Sequence, residues 1–214
     1  MPVYQGKTAS QWLDEFFTPD EANATEAFRR MGTNGTSFLV HELQRTNSPW
    51  ERFYARNYPK LPWSVAVRLS PPMSDGGRWN EADYMLRELQ AKSAIPDLIR
   101  VLPEKNVERQ LHILSALEGL VGPENTNCIP PLINCLKSTN VDVQVEALNV
   151  LERIGPDKRA IPALTNLLHQ SYVSPEPEAL EYLSRIDLKL AQKYGFITLD
   201  QPPPKNSQPN LQEK

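Results

Sequence analysis

Ala94-Ile95-Pro96-Asp97-Leu98-Ile99-Arg100-Val101-Leu102 is the stretch on which the reading of this chain turns. It returns as Cys128-Ile129-Pro130-Pro131-Leu132-Ile133-Asn134-Cys135-Leu136, and again as Ala160-Ile161-Pro162-Ala163-Leu164-Thr165-Asn166-Leu167-Leu168. Pro96, Pro130 and Pro162 thus recur at a near-constant interval of roughly 33 residues, a period that marks stacked repeats rather than a closed globule.

Each copy reads as a short helix. Proline is tolerated in a first helical turn, where its missing N–H would lack a partner anyway. Ile95, Leu98, Ile99 and Leu102 then fall on one face, as do Ile129, Leu132, Ile133 and Leu136. The third copy offers Ile161, Leu164 and Leu168, with Thr165 as the weak member. Such a stripe cannot be buried by its own helix and needs a neighbour. The neighbour is repeated too. Val107, Ile113, Leu114, Leu117 and Leu120 shift by one period onto Val141, Ala147, Leu148, Leu151 and Ile154. Both longer helices run into Gly-Pro, at Gly122-Pro123 and Gly155-Pro156, which reads as a stop. Asn106 and Asn140 stand where they would cap these helices.

These residues resemble HEAT repeats of the short bacterial, PBS-lyase-like type. The resemblance implies an all-α, right-handed α-solenoid of about four helical pairs with a closing helix, and no stretch shows the sustained period-2 alternation that a sheet would need. It also implies that the second helix of each pair lines a concave inner face. The expected organisation is one solenoid domain over residues 1–199. It comprises a divergent first repeat at 22–43, an insert at 44–78, repeats at 79–170 and a closing helix at 178–195. A tail at 200–214, with four prolines and little that is apolar, is expected to be disordered.

The 214 residues carry a net charge of −3, so no global basic field draws nucleic acid. Cys128 fills the slot of Ala94 and Ala160 and reads as a packing residue, and Cys135, two turns further along a helix, is too far to bridge to it. No apolar run is long enough for a signal peptide or a membrane span. The expected location is therefore cytoplasmic, with an extracytoplasmic home open if an anchor precedes this chain. The expected state is a monomer.

At the start, Thr8 opens a short helix on which Trp12, Leu13, Phe16 and Phe17 share a face. In the first repeat Leu39, Val40 and Leu43 take the places of Leu98, Ile99 and Leu102, and Thr36-Ser37 stands for Ile-Pro. The insert breaks the period. Ser48-Pro49-Trp50-Glu51 is a capping box with proline at the first helical position, predicting a helix to about Tyr58. A second short helix follows from Pro62 to Leu69, then a loop over residues 70–77 and a helix over 79–93. Trp50, Phe53, Tyr54, Tyr58 and Trp63 are interleaved with Arg45, Arg52, Arg56, Lys60 and Arg68. Either the aromatics pack the insert onto the neighbouring helices, or they form a patch of Trp50, Tyr54, Arg52 and Arg56 on which a partner stacks.

The chemistry implied by enzymatic HEAT proteins is not encoded here. The di-iron hydroxylases of that type need several His-Glu pairs, and His41-Glu42 is the only one. The DNA glycosylases need a basic groove, and the bilin lyases share the repeat without a Cys or His cluster here to argue for a bilin. No phosphate loop, nucleophile motif or zinc spacing occurs, so neither a cofactor nor a metal is expected. The expected function is a non-catalytic protein-interaction scaffold, with a nucleic-acid-binding or bilin-lyase-like accessory role as the alternative. Its expected contact row is His41, Arg100, Asn134 and Asn166, which share one position opposite the apolar stripe. Glu104, Ser138 and Gln170 would flank it. Hydrogen-bonding capacity with little net charge suits a protein or peptide better than a phosphate backbone.

Overall fold

The computed structural model describes residues 1–16, 21–69, 71–169 and 176–196. The repeat unit is a short helix feeding a long one. Each Ile-Pro helix grows out of a 3-10 turn: Lys92–Ala94 leads into α7 (Ile95–Val101), Thr126–Cys128 into α9 (Ile129–Cys135) and Lys158–Ala160 into α11 (Ile161–His169). The amide N–H groups of Ala94, Cys128 and Ala160 donate to the carbonyls of Ala91, Asn125 and Asp157 at 2.8, 2.9 and 3.1 Å. This bond does at each helix start what a capping side chain does elsewhere. Ala94, Cys128 and Ala160 are all buried, so the turn demands a small side chain, and cysteine meets that demand once.

The long helices are α6 (Asp75–Glu88), α8 (Val107–Leu120), α10 (Val141–Ile154) and α12 (Glu176–Ile186). Asn106 and Asn140 cap α8 and α10, their Oδ1 atoms accepting from the amides of Arg109 and Val143 at 3.0 and 3.1 Å. The first repeat is α2 (Glu21–Met31) and α3 (Thr33–Gln44). Along the stack α6 packs against α3 and α8, and α10 packs against α8 and α12. The short helices form a second layer, α7 against α3 and α8, α9 against α10, and α11 against α12. The result is an all-α solenoid whose core runs unbroken from Ala9 to Ala191.

Several local expectations are corrected. A two-residue antiparallel ladder, β1 (Val3–Tyr4) with β2 (Lys7–Thr8), precedes α1 (Ala9–Asp14). Gln5 and Gly6 both take positive φ, the signature of a tight hairpin turn, and strands this short leave no alternation to read. Helix α3 starts at Thr33 rather than Thr36, because Gly32 at φ +56° makes the break. Asp75, Gly76 and Gly77 are helical, since Ser74 caps α6 through the Gly77 amide at 2.9 Å. Val107 is exposed at the first position of α8. In α11 it is Leu164 and Leu167 that are buried, with Leu168 only part-buried.

The two Gly-Pro stops also differ. Gly155 ends α10 at φ +110°, whereas Gly122 keeps an ordinary φ and follows an extended Val121. The closing helix is two, α12 and α13 (Leu188–Lys193), because Asp187 leaves the helical region and caps α13 through the Leu190 amide at 3.0 Å. Phe17, Gln170 and the tail at 200–214 lie outside the described residues.

Candidate interaction surfaces

The four residues of the expected row, His41 on α3, Arg100 on α7, Asn134 on α9 and Asn166 on α11, are all exposed. In each helix the leucine two residues before this position, Leu39, Leu98, Leu132 or Leu164, is buried. The row is not one continuous groove. His41 borders a depression with Met1, Pro2, Asn34 and Phe38, while Asn134 borders another of about 310 Å³ with Glu104, Gln110 and Ser138. Arg100 is paired with Asp97 one turn back.

The flanking row is occupied by structural bonds. Glu104 accepts from the amides of Lys105 and Asn106 at 2.8 and 3.2 Å and from Arg109 at 2.7 Å. Ser138 accepts from the Asn140 amide at 3.2 Å. Beside them, the side-chain amide of Gln110 donates to the Leu102 carbonyl at 3.3 Å, and that of Gln144 donates to the Leu136 and Ser138 carbonyls at 3.4 and 2.6 Å. These glutamines close the ends of α7 and α9. Gln110 and Gln144 are one repeat period apart, as are Leu102 and Leu136, so the same shift that revealed the apolar positions could have found them.

The insert places its aromatics differently from the packing expectation. It contains α4 (Pro49–Asn57), a 3-10 turn at Tyr58–Lys60 and α5 (Trp63–Ala66). Every residue of α4 and α5 stays at least part-exposed. Trp63 is 81% exposed, Trp50 70% and Phe53 56%, and Val65, Val67 and Leu69 are exposed beside them. Trp50 and Phe53 stack at 5.4 Å. Only Tyr54 and Tyr58 turn inward, edge to face at 5.6 Å. Of the residues singled out for the patch, Trp50 and Arg56 face solvent. Tyr54 lies on the packing side, and exposed Arg52 is bonded through Nη1 to the Asn47 carbonyl at 2.8 Å.

What holds the insert to the solenoid is polar. Asn47 donates its amide N–H to Asp75 at 2.5 Å and its side-chain amide to the Met73 carbonyl at 2.9 Å. Trp79 Nε1 donates to the Arg45 carbonyl at 2.8 Å, and Arg45 pairs with Glu51 at 2.5 Å. Beneath these bonds buried Glu42 receives Arg78 and Arg45 at 3.3 and 3.4 Å. Glu81, only 8% exposed, keeps one carboxylate oxygen without a partner. Its burial pushes the carboxyl up to about 7; Asp14 adds to the rise and Arg78 opposes it.

Two further groups bear on chemistry. His112 on α8 meets buried Asp83 on α6 at 2.5 Å, and Arg87 meets the other Asp83 oxygen at 2.7 Å. This pair ties α6 to α8. It is invisible in sequence because its members sit on different helices, with no motif around either. Cys128 and Cys135 are buried free thiols pushed up to about 11 by that burial, so thiolate is scarce at neutral pH. Among the described residues no group of three or more His, Cys, Asp and Glu is arranged to hold a metal ion, and no helix is long and apolar enough to cross a membrane.

One family model agrees with the repeat. The family described as Armadillo/beta-catenin-like repeat matches residues 125–154, which comprise α9 and α10. No curated protein matches the chain. It is similar to the crystal structure of an engineered protein at 20% identity and a TM-score of 0.38, covering 88% of this chain and 98% of that one.

Proposed function

We propose that this protein is a non-catalytic interaction scaffold that binds a protein or peptide along a surface carried by α3 and the short helices α7, α9 and α11. The observation that carries the reading is the recurrence of His41, Arg100, Asn134 and Asn166 at one exposed position, each two residues past a buried leucine. Stacked repeats turn such a position into a series of evenly related side chains. A carboxamide donates and accepts at once, so Asn134 and Asn166 can each pair with a peptide unit of a bound chain. Arg100, held by Asp97, adds a cation without making the surface a phosphate-binding one.

The test is the double variant Arg100→Glu with Asn134→Glu, compared with wild type for a protein partner isolated by pull-down. Both positions are exposed, so the variant should keep its helical circular dichroism, and affinity should fall at least tenfold. Unchanged affinity in a folded variant would overturn this choice of surface.

A further inference from the structure

Residues 45–69 carry Arg45, Arg52, Arg56, Lys60 and Arg68 against Glu51 alone. That is a net +4 in a chain whose total is −3, so the remainder carries −7. Arg45 and Glu51 neutralise each other at the base of the lobe. Arg52, Arg56, Lys60 and Arg68 are left exposed. At about 100° per residue, Arg52, Arg56, Phe53 and Trp50 fall within roughly 160° of the outer surface of α4. Of its half-buried residues Glu51, Tyr54 and Ala55 face the other way, and Asn57 lies within the outer sector at the end of the helix. Tyr58 then joins the second apolar group to the first, its hydroxyl donating to the Ala66 carbonyl at 3.1 Å and lying 3.4 Å from that of Leu69. Trp50 and Phe53 therefore belong to the same lobe as Trp63, Val65, Val67 and Leu69, with cations set among them.

We propose that this lobe docks the protein on the surface of an anionic phospholipid bilayer. Tryptophan side chains favour the membrane–water boundary, where the ring sits among headgroups and carbonyls. Aliphatic side chains beside it reach the upper acyl region, while arginine and lysine bend back to the phosphates. Trp63, Val65, Val67 and Leu69 supply the first set, and Arg56, Lys60 and Arg68 the second. The charge distribution orients the molecule: the lobe is drawn to the bilayer and the acidic remainder is held off it.

Two other anionic partners fit less well. Nucleobases would stack on open ring faces, yet Trp50 and Phe53 already stack on each other, and three aliphatic side chains have no role against a base. An acidic peptide would be expected to lie in a concavity. The cavities bordered by His41 and by Asn134 lie off the lobe, and a third of about 510 Å³ between Asp14, Pro72 and Arg78 meets it through Tyr54 and the acidic Glu51, not through its tryptophans or free cations. Membrane docking is independent of the surface on α3 and the short helices, so the scaffold could hold its protein partner while lying on a bilayer.

The experiment uses the full chain with vesicles of phosphatidylcholine, with and without a minority of phosphatidylserine, followed by sedimentation and tryptophan emission. Trp12 and Trp79 are buried, so a blue shift on mixing reports on Trp50 and Trp63. The proposal expects binding and a blue shift with the anionic vesicles and at least tenfold weaker binding to phosphatidylcholine alone. It also expects loss of binding at high salt. Arg56→Glu with Lys60→Glu should weaken binding by at least tenfold, since each surface cation contributes about fivefold. Trp63→Ser with Val67→Ser should abolish the blue shift while leaving the circular dichroism unchanged. Arg100→Glu with Asn134→Glu should bind vesicles as wild type does, so that failure on one surface leaves the other standing. Equal binding to both vesicle types overturns the proposal. So does absence of vesicle binding, whether the lobe instead retains a single-stranded oligonucleotide, retains an acidic peptide or self-associates.

Discussion

The repeats and the insert solve opposite problems with similar residues. In α8 and α10 the apolar side chains face inward and most charged ones outward, and burial holds each helix, with the His112–Asp83 pair added at α8. In the lobe formed by α4 and α5 the polar anchors Asn47 and Glu51 face the solenoid, and the largest apolar side chains face water beside the exposed cations. A repeat can be explained by folding alone. The lobe cannot, because exposing two tryptophans and a phenylalanine forgoes stabilisation of about 2 kcal/mol for each side chain left unburied. The difference teaches that apolar content by itself does not locate a core. The position of the polar anchors decides which way the rest of the segment points.

The contrast breaks most visibly under truncation. Leu132→Ala on α9 or Leu148→Ala on α10 removes a fully enclosed side chain and should cost about 2–5 kcal/mol in denaturant unfolding. If either cost less than about 1 kcal/mol, the repeats would not be packed as described.

Next in size is the charged base of the lobe. Glu81 holds its proton up to about 7 in the folded chain but releases it near the ordinary value of 4.5 when unfolded. The folded state therefore binds more protons across that window, and stability falls as pH rises through it. The penalty is absent below the ordinary value and complete above about 7. Glu81→Gln should stabilise the protein at pH 8 by up to about 3 kcal/mol and flatten the pH profile, with little effect at pH 4. An unchanged slope between those limits would remove Glu81 as its source.

Capping changes sharpen the comparison, since the same bond serves both regions. Asn140→Ala should cost about 1 kcal/mol of global stability, because α10 belongs to the core. Ser48→Ala removes the equivalent bond to the Glu51 amide, 3.2 Å long, at the start of α4. It should speed hydrogen exchange in α4 while leaving the global midpoint within about 0.5 kcal/mol. Equal global losses would show that the lobe and the repeats unfold as one unit.

The smallest effects separate the two glycine stops. Gly155→Ala forces a side chain into a positive φ and should cost about 1 kcal/mol. At Gly122 a Cβ meets only the movable end of Glu124, so Gly122→Ala should cost a few tenths of a kcal/mol at most.

Where sequence reading worked, it worked because the repeat gave each position two or three witnesses. The bounds of α8 and α10, their asparagine caps and the small residue before each Ile-Pro helix all recur. Three of its failures fell at positions without a repeat. Asp187 splits the closing helix, Gly32 sets the start of α3, and His112 meets Asp83, each once in the chain. For the expected contact row, exposure at all four positions was legible. Its flanks were not, because Glu104 and Ser138 look like surface polar residues until their backbone partners are known. Which way the aromatics of the lobe face stayed open between two alternatives for a related reason. Periodicity over the short span of α4 gives an amphipathic face, but nothing local says which face meets the solenoid.

The sequence by itself determined the solenoid, its period, the boundaries of its middle repeats and the lack of a sustained strand pattern. These follow from local helix chemistry and from a stripe that must be buried by a like neighbour. Tertiary structure alone decided the orientation of the insert, the burial of Glu81 and the difference between Gly122 and Gly155. Those depend on contacts between residues far apart in the chain, such as Asn47 with Met73 and Trp79 with Arg45, whose pairing no local pattern encodes.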